Sequence, residues 1–173
     1  MISGRSRVLC ATLAFGVAAT LTACAPTVSM TPAAAANSPR CADVSVRLPD
    51  TVAGKAKRST DAQATGAWGD PAVVLLRCGV RPIGPTTKPC VAITSGDTTV
   101  DWVLENDPSD SVLRYITFGR TPATELVIQH GANGVSDADV LPAFTQAIAS
   151  IPQGPSKCQS LSDVPTPTPS ASR

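Results

Sequence analysis

Four cysteines, Cys41, Cys78, Cys90 and Cys158, constrain this chain more than any other feature. Their spacings of 37, 12 and 68 residues contain no CxxC pair, and the sole histidine is His130. A structural zinc site therefore lacks its ligands, and no metal site is expected. In an exported protein an even set of cysteines reads as two disulfides, with three connectivities open. Cys78 closes one predicted strand and Cys90 begins the next, which favours a 78–90 bridge across a hairpin. The outer pair then joins as 41–158, since chain ends commonly lie close together.

The start of the chain supplies the oxidising compartment that disulfides need. Arg5 and Arg7 precede VLCATLAFGVAATL, residues 8 to 21, which carries no charge. This is a basic region followed by an apolar one of secretory-signal length. It is too short to span about 30 Å of hydrocarbon, which takes roughly 20 residues. Leu21-Thr22-Ala23-Cys24 then resembles the bacterial lipobox, in which an aliphatic residue and two small ones precede the lipidated cysteine. Small side chains admit the segment to a peptidase groove, and the thiol is the nucleophile for lipid transfer. Cys24 is the expected attachment site, and palmitate-type acylation gives it two or three chains. At about 0.8 kcal/mol per buried CH₂, that number holds firmly where one chain does not. The competing reading is ordinary cleavage after Ala25. Cys10 lies mid-signal and leaves with it.

Cleavage before Cys24 leaves 150 residues with 12 basic and 13 acidic side chains. A balance this close to zero gives no electrostatic case for nucleic acid. The length suits one domain. Residues 24–40 are rich in proline and small side chains and read as a lipidated flexible tether. Extended, it would lift a domain roughly 50 Å from the membrane. Residues 159–173 alternate proline with threonine and serine, a disordered tail of the kind that carries O-glycans. The signal is 1–23 and the globular domain 41–158.

Within the domain, DVSVRLP alternates Val44, Val46 and Leu48 as a half-buried strand does. KAKRSTDAQATGAWGD reads as a long loop. PAVVLLRCG is an unbroken apolar run, consistent with a strand buried on both faces. CVAIT, TVDWVLE, SVLRYITFG and ATELVIQ continue the β pattern. DVLPAFTQAIASIP places Val140, Leu141, Phe144, Ala147, Ile148 and Ile151 on one helical face. Asp139 is favoured over Ser136 as its cap, because Pro142 then falls in the first turn, where its missing donor costs nothing. The fold class is α+β: an antiparallel sheet of about five or six strands, with one C-terminal amphipathic helix packed on a face and two disulfides.

Catalytic signatures are absent: there is no GxSxG, HExxH, P-loop or GxGxxG. His130 reads as a solvated loop residue. ENDPSD, residues 105 to 110, reads as a solvated turn rather than a calcium loop. No cofactor is expected. Trp68 and Asp70 in GAWGDP form a candidate ligand patch with Arg120 of FGRTP, held on glycine- and proline-flanked turns. The structural alternative gives Trp68 to the core and Asp70 to turn amides.

CADVSVRLPDTVAG, AWGDPAVVLLRCG, VDWV and TFGRTPATELVI together resemble an actinobacterial lipoprotein family, domain of unknown function 3515, over residues 41 to about 158. That resemblance implies an outer-leaflet envelope location and lends no catalytic residue. The SGDTT before VDWV reads as a longer connection than the tight turn the resemblance implies. The expectation is a membrane-anchored cell-envelope lipoprotein on the outer face of the plasma membrane. It acts as a non-enzymatic accessory or binding module, contacting the membrane through its lipid and an envelope protein or cell-wall ligand through its domain. The alternative is an envelope hydrolase or transferase using Asp70, Asp101 and Arg120. A transporter's solute-binding protein needs a two-domain cleft, which about 118 residues hardly build.

Overall fold

The computed structural model describes residues 26–131 and 134–159. The expected signal, Cys10, the expected attachment residue Cys24 and the tail beyond Gln159 lie outside the described residues. Among the described residues, eight antiparallel strands form one sheet in the order β1-β2-β3-β4-β8-β7-β6-β5. They are β1 Thr51–Val52, β2 Lys55–Arg58, β3 Thr65–Trp68, β4 Val74–Val80, β5 Cys90–Ser95, β6 Thr98–Leu104, β7 Val112–Thr117 and β8 Ala123–Gln129. One face is covered by α1 Pro39–Ser45 and by a second helical stretch. That stretch consists of α2 Asp137–Val140, a 3-10 turn Leu141–Phe144 and α3 Thr145–Ile148. Trp68, Leu76, Trp102, Leu126 and Phe144 are among the fully buried side chains between these layers. The rings of Trp68 and Phe144 meet edge to face at 5.0 Å, the arrangement aromatic quadrupoles favour.

The sheet is wider than the five or six strands expected, because β1, β2 and β3 come from segments that carry no apolar alternation. β2 is KAKR, half-buried or exposed throughout. Lysines suit strands near a sheet edge, where charge discourages further pairing. DVSVRLP is helix and turn rather than strand. Pro39 occupies the first turn of α1, and Cys41 and Val44, three apart, face the core. Val46, which the alternation assigns inward, is 79 % exposed. β4 is not buried on both faces; Leu75 and Arg77 alternate with the inward Val74, Leu76 and Cys78. The SGDTT segment forms a tight hairpin after all, since Ser95 pairs with Thr98 across Gly96-Asp97. Gly96 takes φ 60° there, the conformation that two-residue hairpin turns require.

The second helical stretch begins at Ser136, not Asp139: the Ser136 side chain accepts from the Ala138 N–H. Pro142 is accommodated because the chain narrows to a 3-10 turn around it, so the helix breaks into short pieces instead of starting late.

All four cysteines are bridged, but as Cys41–Cys78 and Cys90–Cys158 rather than 78–90 and 41–158. The expected hairpin does not exist, because β8, β7 and β6 stand between β4 and β5 in the sheet. Cys78 lies on the core face beneath α1, where Cys41 meets it, and both are fully buried. Cys90, on the far edge strand, instead holds the segment that returns after α3.

The described part of the supposed tether, residues 26–38, runs along the domain as a strap. Arg58 donates Nη2 to Pro26 O at 2.5 Å. Val28 bridges Thr60, and the Met30 N–H reaches Asp61 Oδ1 at 2.8 Å. That bond and one from Ser29 hold the Asp61 carboxyl below its ordinary value. Further on, the Ala35 N–H donates to Gly79 O at 3.0 Å. Gly79 has φ 101°, and a Cβ there would stand 2.4 Å from Ala35 C. Gly79→Ala is therefore expected to cost about 3 kcal/mol from backbone strain and a displaced strap. Urea denaturation checks this, and faster exchange of the Ala35 amide should accompany it; a loss below about 1 kcal/mol would show that the strap does not bear on Gly79.

Candidate functional site

The three residues read as a ligand patch do not meet. Trp68 is fully buried and donates Nε1 to Pro49 O at 2.9 Å, a core role. Asp70 is exposed and pairs with Arg58 at 2.8 Å. Arg120 is 4 % exposed and spends its guanidinium inward, on Ile151 O and, at 2.9 Å, on Thr99 O. In register, Val74 faces Ile128 and Val80 faces Ala123. Asp70 precedes the first end of β4 and Arg120 precedes Ala123 at the other, so about 20 Å of strand lies between them.

The two carboxylates and one arginine of the enzymatic alternative do not form one site either. Asp101 and Arg120 do interact, but Asp70 stands at the opposite end of the sheet. Burial raises the Asp101 carboxyl above its ordinary value, against the Cys158 N–H and the charges of Arg120 and Lys157. Burial lowers Arg120 in turn, with Asp101 opposing. The raised value means that the folded state holds the Asp101 proton more tightly than the unfolded state. The associated stability is present below the unfolded value and lost as pH rises through the folded one. Asp101→Asn is accordingly expected to gain Tm relative to the unsubstituted protein between about pH 3 and pH 7. Paired thermal melts across that range check it, and a difference that stays flat or runs the other way contradicts it.

Two recesses open on the sheet face opposite the helices. One, of about 470 Å³, lies beside the returning C-terminal segment; Lys88, Phe118, Lys157 and the Cys90–Cys158 bridge are in its wall. Lys88 is already paired there with Glu105 at 3.0 Å. The other, of about 330 Å³, lies between the strap and the middle of the sheet. Its floor is set by three neighbouring strands. Arg77 of β4 lies directly across from Glu125 of β8, and Arg114 of β7 reaches Glu125 diagonally. Arg77 Nε and Nη2 meet Glu125 Oε2 at 2.6 and 2.5 Å, and Arg114 Nη1 meets Oε1 at 2.5 Å. Glu125 is 3 % exposed, while the side chains of Arg77 and Arg114 are 31 % and 50 % exposed. Leu75, Val127 and Met30 add apolar wall.

These three charges escape a motif search, because each stands alone in an apolar strand: LLRCG, VLRYIT and TELVI. Only the strand order brings them together. A charge interrupting a β pattern at its outward position is the signal that finds them. Chemically, two guanidiniums share one carboxylate and leave a unit of positive charge beside apolar surface, which suits an anion carrying an apolar neighbour. Among the described residues no group of three metal-ligating side chains gathers, and no helix is long and apolar enough to cross a membrane.

No curated protein and no solved structure matches the chain. A family model does match, over residues 7–156, and so takes in the strap as well as the sheet. By that match the chain belongs to the family described as protein of unknown function DUF3515.

Proposed function

We propose that this protein is an exported lipoprotein, anchored through Cys24 to the outer face of the plasma membrane. In this reading its domain is a non-enzymatic accessory module that binds an anionic group of an envelope component in the strap groove. The observation that carries the binding role is the triad of Arg77, Glu125 and Arg114. Arg114 gives only Nη1 to Glu125, and the rest of its five N–H donors remain for a ligand. The strands fix the triad in place, and the groove, at about 330 Å³, has the size of a small-molecule site. Export is supported by the two disulfides, which persist in oxidising compartments.

Two variants test this. Cys24→Ala is expected to lose label from a radioactive fatty acid, and to leave either an uncleaved precursor or a protein shed after ordinary signal cleavage. A variant still labelled and membrane-bound would defeat the anchor. Arg114→Ala, at a half-exposed position, should change Tm by no more than a few degrees. It should release whatever envelope component the unsubstituted protein retains from solubilised membranes. Retention by the variant equal to that of the parent would defeat the groove.

A further inference from the structure

The strap changes where an anchored domain can sit. Resting on the reading of Cys24 as the lipidated residue, we propose that the β1–β2 edge of the sheet is moored against the phospholipid headgroups. The supposed spacer does not lift the domain clear of them. One residue, Ala25, separates Cys24 from Pro26. A span of two residues reaches at most about 7 Å. At Pro26 the chain is already fastened, by Arg58 at 2.5 Å, and Arg58 is itself held by Asp70 at 2.8 Å and by Gly69 O at 2.9 Å. Val28 continues the fastening: its N–H reaches Ser59 O at 2.9 Å. The roughly 50 Å of reach that a free 16-residue tether would supply is thereby taken up along the domain's own surface.

Two details fit a mooring set by the covalent link instead of by charge. The residues around Pro26 are polar and mixed in sign, with Lys57 and Arg58 beside Asp50 and Asp70. The side chain of Arg58 is only 10 % exposed, so it serves the chain more than the lipid. Apposition is therefore expected on zwitterionic vesicles and in high salt alike, where attraction between exposed charges would be screened. The opposite edge, at the Gly96-Asp97 hairpin, is six strand spacings away from β2, about 29 Å. That edge is expected to face away from the lipid.

The experiment uses the full lipidated protein, purified from membranes and reconstituted in phosphatidylcholine vesicles that carry a headgroup acceptor dye. Donor dyes are placed at Lys57→Cys or Asp97→Cys, both exposed positions. Energy transfer from position 57 should be several-fold stronger than from position 97 and unchanged by salt. Adding Arg58→Ala with Val28→Pro, which removes two fastenings and leaves the one at Met30 in place, should reduce that difference. Equal transfer from the two positions in the intact protein overturns the mooring, as does weak transfer at position 57 or loss of transfer in salt. Intact mass measured on the same sample separates the cases. A lipidated protein with equal transfer defeats only the mooring, whereas an unlipidated one defeats the anchor as well.

Discussion

Replacing both Cys41 and Cys78 by alanine is expected to lower the stability by about 4 kcal/mol or more, the largest effect of any change considered for this fold. The loop they close spans 37 residues, for which the chain-entropy model gives roughly 4 kcal/mol. Both sulfurs also lie in the core, so their loss leaves unfilled space between α1 and β4. Cys90 and Cys158 close a longer loop, of 68 residues, and entropy alone would rank their bridge slightly above the first. Cys90 is exposed on the edge strand, however, and its removal opens no core. The buried bridge is therefore expected to matter more despite its shorter loop. Chemical denaturation of the two double variants checks the order, and the reverse order would contradict it. Peptide mapping without reduction should recover 41–78 and 90–158 links; a 78–90 peptide would contradict the topology itself.

The second large effect belongs to Arg120. Arg120→Met keeps the aliphatic length but strips the donors from Ile151 O and Thr99 O, and leaves buried Asp101 with Lys157 as its remaining nearby positive charge. Stranded buried acceptors and a less well compensated carboxylate cost about 3 kcal/mol together. For a domain of this size that corresponds to a Tm lower by about 10 °C. Combining it with Asp101→Asn should recover part of the loss, because the two positions share one interaction. An Arg120→Met protein that melts like its parent, yet loses a bound envelope component, would restore Arg120 to the role of ligand residue that the sequence suggests.

What could be read from sequence follows the strength of the local signal. β5 to β8 carry apolar alternation or β-branched runs, and all four stand where the pattern places them. β1 to β3 do not, because an edge hairpin of lysine, alanine and glycine is held by its neighbours rather than by its own preferences. α1 was hidden for the opposite reason: Val44, Val46 and Leu48 alternate, but the Cys41–Cys78 bridge and burial at a spacing of three residues override that alternation. The cysteine pairing depended on strand order, a long-range property that spacing does not encode. Trp68 and Arg120, read from sequence as ligand residues, are instead buried and spend their polar atoms within the fold. The Arg77, Glu125 and Arg114 triad shows the converse, since three unremarkable positions become neighbours only through the β4-β8-β7 pairing.

The proposal of a lipidated, doubly bridged domain is tested most directly by intact mass spectrometry of the protein taken from native membranes. It predicts a chain beginning at Cys24, carrying a diacylglyceryl group and a further acyl chain, and four hydrogens lighter than its reduced form because both bridges are closed. A mass that instead corresponds to an unacylated chain beginning at Pro26, or to one with free thiols at Cys41 and Cys78, would contradict it.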